Sequence, residues 1–482
     1  LSAYKADSSS EQEQTQQGGR YILGITKKQE IDMTKGNPSV LILKFMTPLI
    51  IGNIFQQFYN MADTIIVGRF VGVTALAAVG ATGTVMFLIL GFLMGLLQGF
   101  TVITAQRFGA GDYDGVKQSV ANACILSAGI TVIVTFVSVH YMDALLRIMN
   151  TSEDMFAMAK TYITVICLGT VFNMLYNLLA SFLRAVGNSK APLYFLMISA
   201  LLNIFLDLFL IVVIPMGVAG AALATILSQG ISGILCLIYM LRKVPVLIPR
   251  KTDWHLDAQC TYNQLMIGFP MALQFSITAI GTILVQSSLN LLGSVAVAAY
   301  TVACKVEQLF TQVFSSIGMT DATYAAQNMG VGNVKRIKKG AVLSNAYSAI
   351  YAVVIYAALF YSCPFFTRIF ISGSVTGDLT LIIGYVETYI HLCGLFFIPL
   401  GMIFIFRNIM QGCGYSFWPM MGGVTELVCR AVVAVLAAKA GSFAGICWAN
   451  ASAWLITGIF LWICYLFVIR KIEKRFKNFT PD

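Results

Sequence analysis

The chain has 482 residues, 58% of them hydrophobic and 11% charged, with a mean hydropathy of +0.80. Those values exclude a soluble enzyme, a disordered protein and a secreted disulfide scaffold, and they place the chain in a membrane. The formal charge of +10 has a topological explanation before any nucleic-acid one, and no nucleic-acid partner is expected.

Residues 1–38 contain the polar, low-complexity run SSSEQEQTQQGG, which cannot build a core and is predicted to be disordered. No apolar stretch follows its early charges, so it does not read as a signal peptide. Met33, opening the run MTKGNPS, reads as a natural start. Apolar runs then predict spans near 39–67, 74–107, 116–142, 155–183, 190–214 and 217–242, and again near 259–290, 295–328, 337–362, 381–411, 416–438 and 445–470. Each is long enough to cross a hydrocarbon core of about 30 Å as a helix. Strands of an outer-membrane barrel would alternate polar and apolar residues in short segments, and these runs do not. The expected fold class is an all-α polytopic membrane protein with twelve transmembrane helices.

Lysine and arginine alternate between the two sets of connections. One set holds Arg107, Lys117, Arg184, Lys190, Arg242, Lys243, Arg250, Lys251, Lys335, Arg336, Lys338 and Lys339, and the tail adds Arg470, Lys471, Lys474, Arg475 and Lys477. The other offers little beyond Arg69, Arg147, Arg368 and Lys439. Cytoplasmic loops carry the excess of such residues, so both termini are expected on the cytoplasmic side. Cysteines such as Cys124, Cys167, Cys236, Cys393, Cys429 and Cys464 are scattered through apolar stretches and read as small buried hydrophobes. His140, His255 and His391 stand alone, and no zinc spacing, P-loop or dinucleotide fingerprint is present.

The two halves repeat at a shift of about 221 to 227 residues. Pro48 matches Pro270. Gly72-Val-Thr-Ala-Leu-Ala-Ala78 matches Gly293-Ser-Val-Ala-Val-Ala-Ala299. Ala105-Gln-Arg-Phe-Gly-Ala-Gly111 matches Ala326-Gln-Asn-Met-Gly-Val-Gly332, and Gly187-Asn-Ser-Lys-Ala-Pro192 matches Gly414-Tyr-Ser-Phe-Trp-Pro419. Six helices per half set both lobes the same way up, related by an axis along the membrane normal. The expected division is an N-lobe over 39–242, an inter-lobe loop over 243–258, a C-lobe over 259–470 and a tail over 471–482. A cleft between such lobes suits alternating access.

Ionisable groups at membrane depth are costly and usually face the bundle interior or water. Asp63 lies in the first span. Asn203 and Asp207 lie four apart in the fifth, on one helical face, and Thr225 lies in the sixth. With the inferred orientation all four fall in the outer half of their helices and are candidates for one site. Two carboxylates, an amide oxygen and a hydroxyl suit a small hard cation, and the same carboxylates suit a proton carrier. The residues alone do not separate these options. The second half offers Lys305, Glu307 and Asp321 in the eighth span, Glu387, His391 and Arg407 in the tenth, and Glu426 and Arg430 in the eleventh. The four-residue spacings of Glu426 with Arg430 and of Glu387 with His391 predict local pairing. Asp207 maps near Ala434 and Asn203 near Arg430, so the lobes have diverged in chemistry.

The runs Pro48-x3-Gly-Asn53, Tyr59-x3-Asp63, Ala75-Leu-Ala-Ala-Val-Gly80, Ala105-Gln-Arg-Phe-Gly-Ala-Gly111, Arg184-Ala-Val-Gly187 and Asn203-x3-Asp207 resemble those of the multidrug and toxic compound extrusion (MATE) family, over about residues 37 to 470. The resemblance implies two six-helix lobes and export of organic, often cationic, compounds across the bacterial cytoplasmic membrane by antiport with sodium ions or protons. It implies a coupling site at Asp63, Asn203, Asp207 and Thr225, which would hold a sodium ion or a proton, joined by Asn177. Some members of another bacterial branch carry acidic residues in the seventh and tenth spans. Here the seventh offers Gln274 and Thr278 instead, which favours coupling in the N-lobe. Gln274, Lys305, Glu307, Glu426 and Arg430 remain candidates for a polar or substrate site in the C-lobe. No cofactor beyond the coupling ion is expected, the chain is expected to be a monomer, and an enzymatic role is disfavoured by the lack of a nucleophile with a base. A lipid-linked oligosaccharide flippase of similar architecture is the alternative, kept open by Lys305, Arg407 and Arg430.

Overall fold

The computed structural model describes residues 31–148, 151–370 and 379–477, and its regular structure is helical. The N-lobe contains α1 (Pro38–Phe70), α2 (Val73–Ala110), α3 (Tyr113–His140), α4 (halves Glu153–Leu168 and Thr170–Ala185), α5 (Lys190–Leu208, continued by a π turn at Phe209–Val213) and α6 (Gly217–Lys243). The C-lobe contains α7 (Ala258–Asn290), α8 (Ser294–Gly330), α9 (Val334–Phe370), α10 (halves Leu379–Gly394 and Phe397–Gly412), α11 (Phe417–Lys439) and α12 (Phe443–Lys477). Among the described residues nine helices are long and apolar enough to cross a membrane alone, and the bent halves of α4 and α10 make eleven spans. Helix α8 is 37 residues long and more polar because it carries Lys305, Glu307 and Asp321. At 1.5 Å per residue it is about 55 Å long, enough to be the twelfth.

The sequence repeat is a backbone repeat. α4 bends by 47° at Gly169 and α10 by 54° just after Gly394. Left-handed glycines turn the chain after equivalent helices in both lobes: Gly111 (φ 77°) with Gly332 (φ 68°), and Gly187 (φ 87°) with Gly414 (φ 88°). Each lobe has its own apolar core, around Leu93, Phe100 and Phe182 in the first and around Phe314, Tyr389 and Phe397 in the second.

Helices α2 and α7 carry the main contact between lobes. Gly91, Gly95 and Gly99 recur every fourth residue along α2 and meet Phe275, Ala272 and Gly268 of α7. A Cβ on Gly95 would lie 2.6 Å from the Ala272 Cα and one on Gly99 2.3 Å from the Gly268 Cα. Small residues at this spacing let two backbones touch.

Nearer the basic loops the lobes are sealed by a two-fold arrangement of the repeated AQxxGxG runs. Gln106 Nε2 donates to the Gly412 carbonyl and Gln327 Nε2 to the Ala185 carbonyl, both at 2.8 Å. Gly109 packs on the Gln327 carbonyl and Gly330 on that of Gln106. On the same face, buried Gln264 of α7 accepts from Asn122 Nδ2 of α3 at 2.9 Å. The highest hydrogen bond between lobes among the described residues joins Asn53 Nδ2 of α1 to Ser316 Oγ of α8 at 2.9 Å.

Residues 1–30 of the segment expected to be disordered lie outside the described residues. Residues 31–37 differ from that expectation, because they form a strap across the seal. Ile31 N–H donates to the Gly187 carbonyl at 3.3 Å, on the N-lobe. The Met33 N–H donates to Gln327 Oε1 at 2.9 Å, and its carbonyl accepts from Asn328 and Arg336, on the C-lobe. The Met33 side chain is fully buried. At the other end α12 runs on as helix through 471–477, where Glu473 pairs with Lys338.

Candidate functional site

Asp63, Asn203, Asp207 and Thr225, drawn from three helices, come together in the N-lobe. In the four-residue rhythm of α1, Tyr59 lies one turn before Asp63, and its hydroxyl donates to Thr225 Oγ1 of α6 at 3.5 Å. Asn203 Nδ2 of α5 reaches the same Thr225 oxygen at 3.5 Å. Asp207 is one turn further along α5, and its carboxyl is within hydrogen-bonding reach of the Asp63 carboxyl. Asn203 and Asp207 are fully buried. The helix passes into its π turn directly after this pair, the local irregularity that recurs at functional sites.

The decisive feature is what these groups lack. Asp63 Oδ1, Asn203 Oδ1 and both carboxylate oxygens of Asp207 are shielded from solvent, and no N–H or hydroxyl donor among the described residues reaches them. Unpaired buried oxygens of this kind are strongly unfavourable unless a cation or proton meets them. The set is all oxygen, which fits a hard monovalent cation or a proton. Among the described residues no three His, Cys, Asp or Glu side chains converge as a metal cage, so a bound cation would draw on the amide and hydroxyl oxygens as well.

Two connected cavities adjoin these residues. The smaller, about 180 Å³, is lined by Tyr59, Asp63, Tyr162, Asn173, Thr225 and Gln229 among others. The larger, about 770 Å³, shares Asp63 with it and runs down between α1, α2, α4 and α8. Its apolar wall includes Met86, Phe87, Met94 and Phe275, and the Phe87 and Phe275 rings meet edge-on across the lobe boundary with centroids 6.4 Å apart. Asn177 lines the larger cavity and donates to the Asn173 carbonyl at 2.8 Å. Asn173, one turn closer to the α4 bend, lines both cavities. Tyr59, Tyr162, Asn173 and Gln229 were not sequence candidates. The four-residue steps from Tyr59 to Asp63 and from Asn173 to Asn177 carried the signal for two of them.

The C-lobe candidates are arranged differently. Glu426 is bracketed by Arg430 at 2.6 Å and Arg407 at 3.4 Å, all three side chains nearly buried. The pairing expected from spacing is therefore present and is extended by α10. Glu307 accepts from Tyr389, and Asn450 Nδ2 donates to the Tyr300 and Tyr389 hydroxyls at 3.0 Å each. Gln274 accepts from Gln411 Nε2 at 2.9 Å. The expected pairing of Glu387 with His391 is absent: the His391 ring stacks on Phe360 at 4.1 Å, because that face of α10 packs against α9. Of the five C-lobe candidates only Lys305 lines the large cavity.

The MatE family model matches residues 48–209 and 268–436, one match in each lobe. A probable multidrug resistance protein, YpnP of Bacillus subtilis (strain 168), is 29% identical over 408 residues, 82% of this chain and 89% of that protein. A protein named FAD transporter from Shewanella oneidensis is 23% identical over 92% of this chain and 96% of its own length. Among solved structures, a MOP superfamily transporter from Pyrococcus furiosus, reported with a binding pocket of reverse polarity, superposes with a TM-score of 0.86 at 21% identity, covering 92% of this chain and 98% of that one. Two family matches falling on two lobes that repeat in sequence and backbone leave one assignment: the chain belongs to the MatE family of multi-pass membrane transporters.

Proposed function

We propose that this protein exports organic compounds with a cationic centre from the bacterial cytosol, in exchange for a sodium ion or proton taken at Asp63 and Asp207. The observation that carries the reading is the set of buried oxygens that no donor reaches, with two carboxyls facing each other, at the meeting point of α1, α5 and α6. Ion and substrate centre compete for the same carboxylates, so loading one releases the other. The lobes rock about the α2 and α7 contact, and the seal of Gln106 and Gln327 closes the basic, cytoplasmic face while the cavity is open to the other side. One positive charge returning inward is worth about 2.3 kcal/mol per 100 mV, enough to drive substrate against a modest gradient. The relatives named for multidrug resistance support the substrate class, and the one named for FAD shows that the fold alone does not fix it.

Of the cationic residues that favour the flippase alternative, Arg407 and Arg430 are committed to Glu426. Of those three, Lys305 alone remains available for a phosphate.

Proteoliposomes loaded with a fluorescent organic cation test the proposal. An inward sodium gradient at fixed pH, or an inward proton gradient without sodium, is imposed on the unmodified protein and on Asp207→Asn. Efflux under one gradient that the variant lacks, with the variant's helical content intact, supports antiport and names the ion. Efflux that survives Asp207→Asn unchanged would remove Asp207 from the coupling step.

A further inference from the structure

The charges on the wall of the large cavity are few. Among its lining residues the acidic and basic ones are Asp63 on α1, Arg184 on α4 and Lys305 on α8. The guanidinium of Arg184 donates to Ser181 Oγ at 2.7 Å and has no carboxylate partner among the described residues. Lys305 is exposed to the cavity and forms no ion pair among the described residues. The other buried charges of the C-lobe are not in the lining of this cavity: Glu426 is held between Arg407 and Arg430, Glu307 accepts from Tyr389, and Asp321 accepts from Ser344. A chamber meant only for monocations would not carry two free cations on its walls.

The level of Lys305 follows from the contact between Asn53 and Ser316. α1 and α8 run antiparallel. Ten residues beyond Asn53 stands Asp63, and eleven residues back from Ser316 stands Lys305, each displaced by about 15 Å along its helix. The carboxylate of one lobe and the ammonium of the other therefore stand at one depth on opposite sides of a cavity with apolar and aromatic walls.

We propose that Lys305 is a subsite for an anionic group, so that the cavity takes amphoteric organic compounds, with a cationic centre at Asp63 and a carboxylate or phosphate at Lys305. The cationic half of this assignment rests on the antiport reading; the anionic half rests on Lys305 itself. Because the two charges belong to different lobes, such a compound bridges them, and closing the lobes around it satisfies both at once.

Equilibrium binding to the purified full chain tests this with probes sharing one aromatic amine body: the free carboxylate, its methyl ester, and a phosphate monoester. The carboxylate or the phosphate should bind about ten- to hundred-fold more tightly than the ester, the range for a charge-assisted hydrogen bond, and the two arms tell which anion is preferred. Lys305→Gln should bring the anionic probe and the ester to within about two-fold, Lys305→Arg should restore most of the preference, and Lys305→Glu should reverse it. Equal affinity for ester and anion in the unmodified protein, a preference that survives Lys305→Gln, or no binding of any probe overturns the proposal. Ion-driven efflux of the ester measured alongside distinguishes the two failures: efflux without anion preference leaves antiport standing and removes the subsite, while anion preference without efflux does the reverse.

Discussion

Adding one methyl group at Gly330 should prise the lobes apart on the sealed face. A Cβ there would lie 2.0 Å from the Gln106 carbonyl oxygen and 2.8 Å from the Ala110 nitrogen, both backbone atoms that cannot turn aside. Ordinary contact begins near 3.4 Å, so the ends of α2 and α8 must separate by about 1.4 Å to accept the methyl group without overlap. The bonds from Gln106 to Gly412 and from Gln327 to Ala185, both 2.8 Å, would then exceed about 4 Å and be lost. Two hydrogen bonds at about 1 kcal/mol each, with about 1 kcal/mol of residual overpacking, amount to about 3 kcal/mol against the sealed state. That is about a hundred-fold change in the conformational equilibrium. Spin labels at exposed Lys190 and Lys339, in a background with accessible cysteines replaced, report the separation of the lobes. Gly330→Ala should move the distance distribution outward. Gly109→Ala should do the same, because its Cβ would lie 2.1 Å from the Gln327 carbonyl oxygen. Gly129→Ala, with nothing within 4 Å of its Cβ, serves as the control. Unchanged distributions in both seal variants would show that the two-fold seal does not set the resting conformation.

Glu426→Gln leaves Arg407 and Arg430 buried without their counter-charge and should cost about 3–5 kcal/mol, read as a lower thermal midpoint in detergent; a midpoint within error of the parent contradicts the assigned network. Arg336→Ala removes donors to the Met33 and Gly36 carbonyls and should speed hydrogen exchange at residues 31–37 while leaving α5 and α6 unchanged. In the inter-lobe loop, burial opposes ionisation of Asp253, but the Arg250 N–H at 2.7 Å and its guanidinium outweigh it and hold the carboxyl below the usual range. A depressed folded pKa stabilises above the unfolded value, so this contribution is present above about pH 4 and fades as pH falls through the folded value. Protection factors in residues 244–257, corrected for the intrinsic pH dependence of amide exchange, should therefore fall on acidification from pH 5 to pH 3, and a flat profile counts against the contact.

The spans, their number, the duplication and the main acidic residues were legible in the sequence because a bilayer imposes them locally. A helix must be about twenty apolar residues long to cross, and a carboxylate in such a run stands out against it. The four-residue step from Asn203 to Asp207 placed both on one face of α5 without any knowledge of α1 or α6. The repeated AQxxGxG runs were visible as a repeat, yet their meaning as a reciprocal seal was not. Each glutamine bonds a carbonyl of the opposite lobe, at Gly412 and Ala185, through side chains more than a hundred residues apart in sequence. The strap at 31–37 was misread for the same reason: its composition is that of a disordered tail, and its order comes from carbonyls and N–H groups satisfied by Gln327, Asn328 and Arg336. Local composition thus determined what crosses the membrane and where charge interrupts it. Only the packing of helices distant in sequence decided which charges are paired, as with Glu426, and which face a cavity without a counter-charge among the described residues, as with Asp63 and Lys305, because pairing depends on what lies opposite.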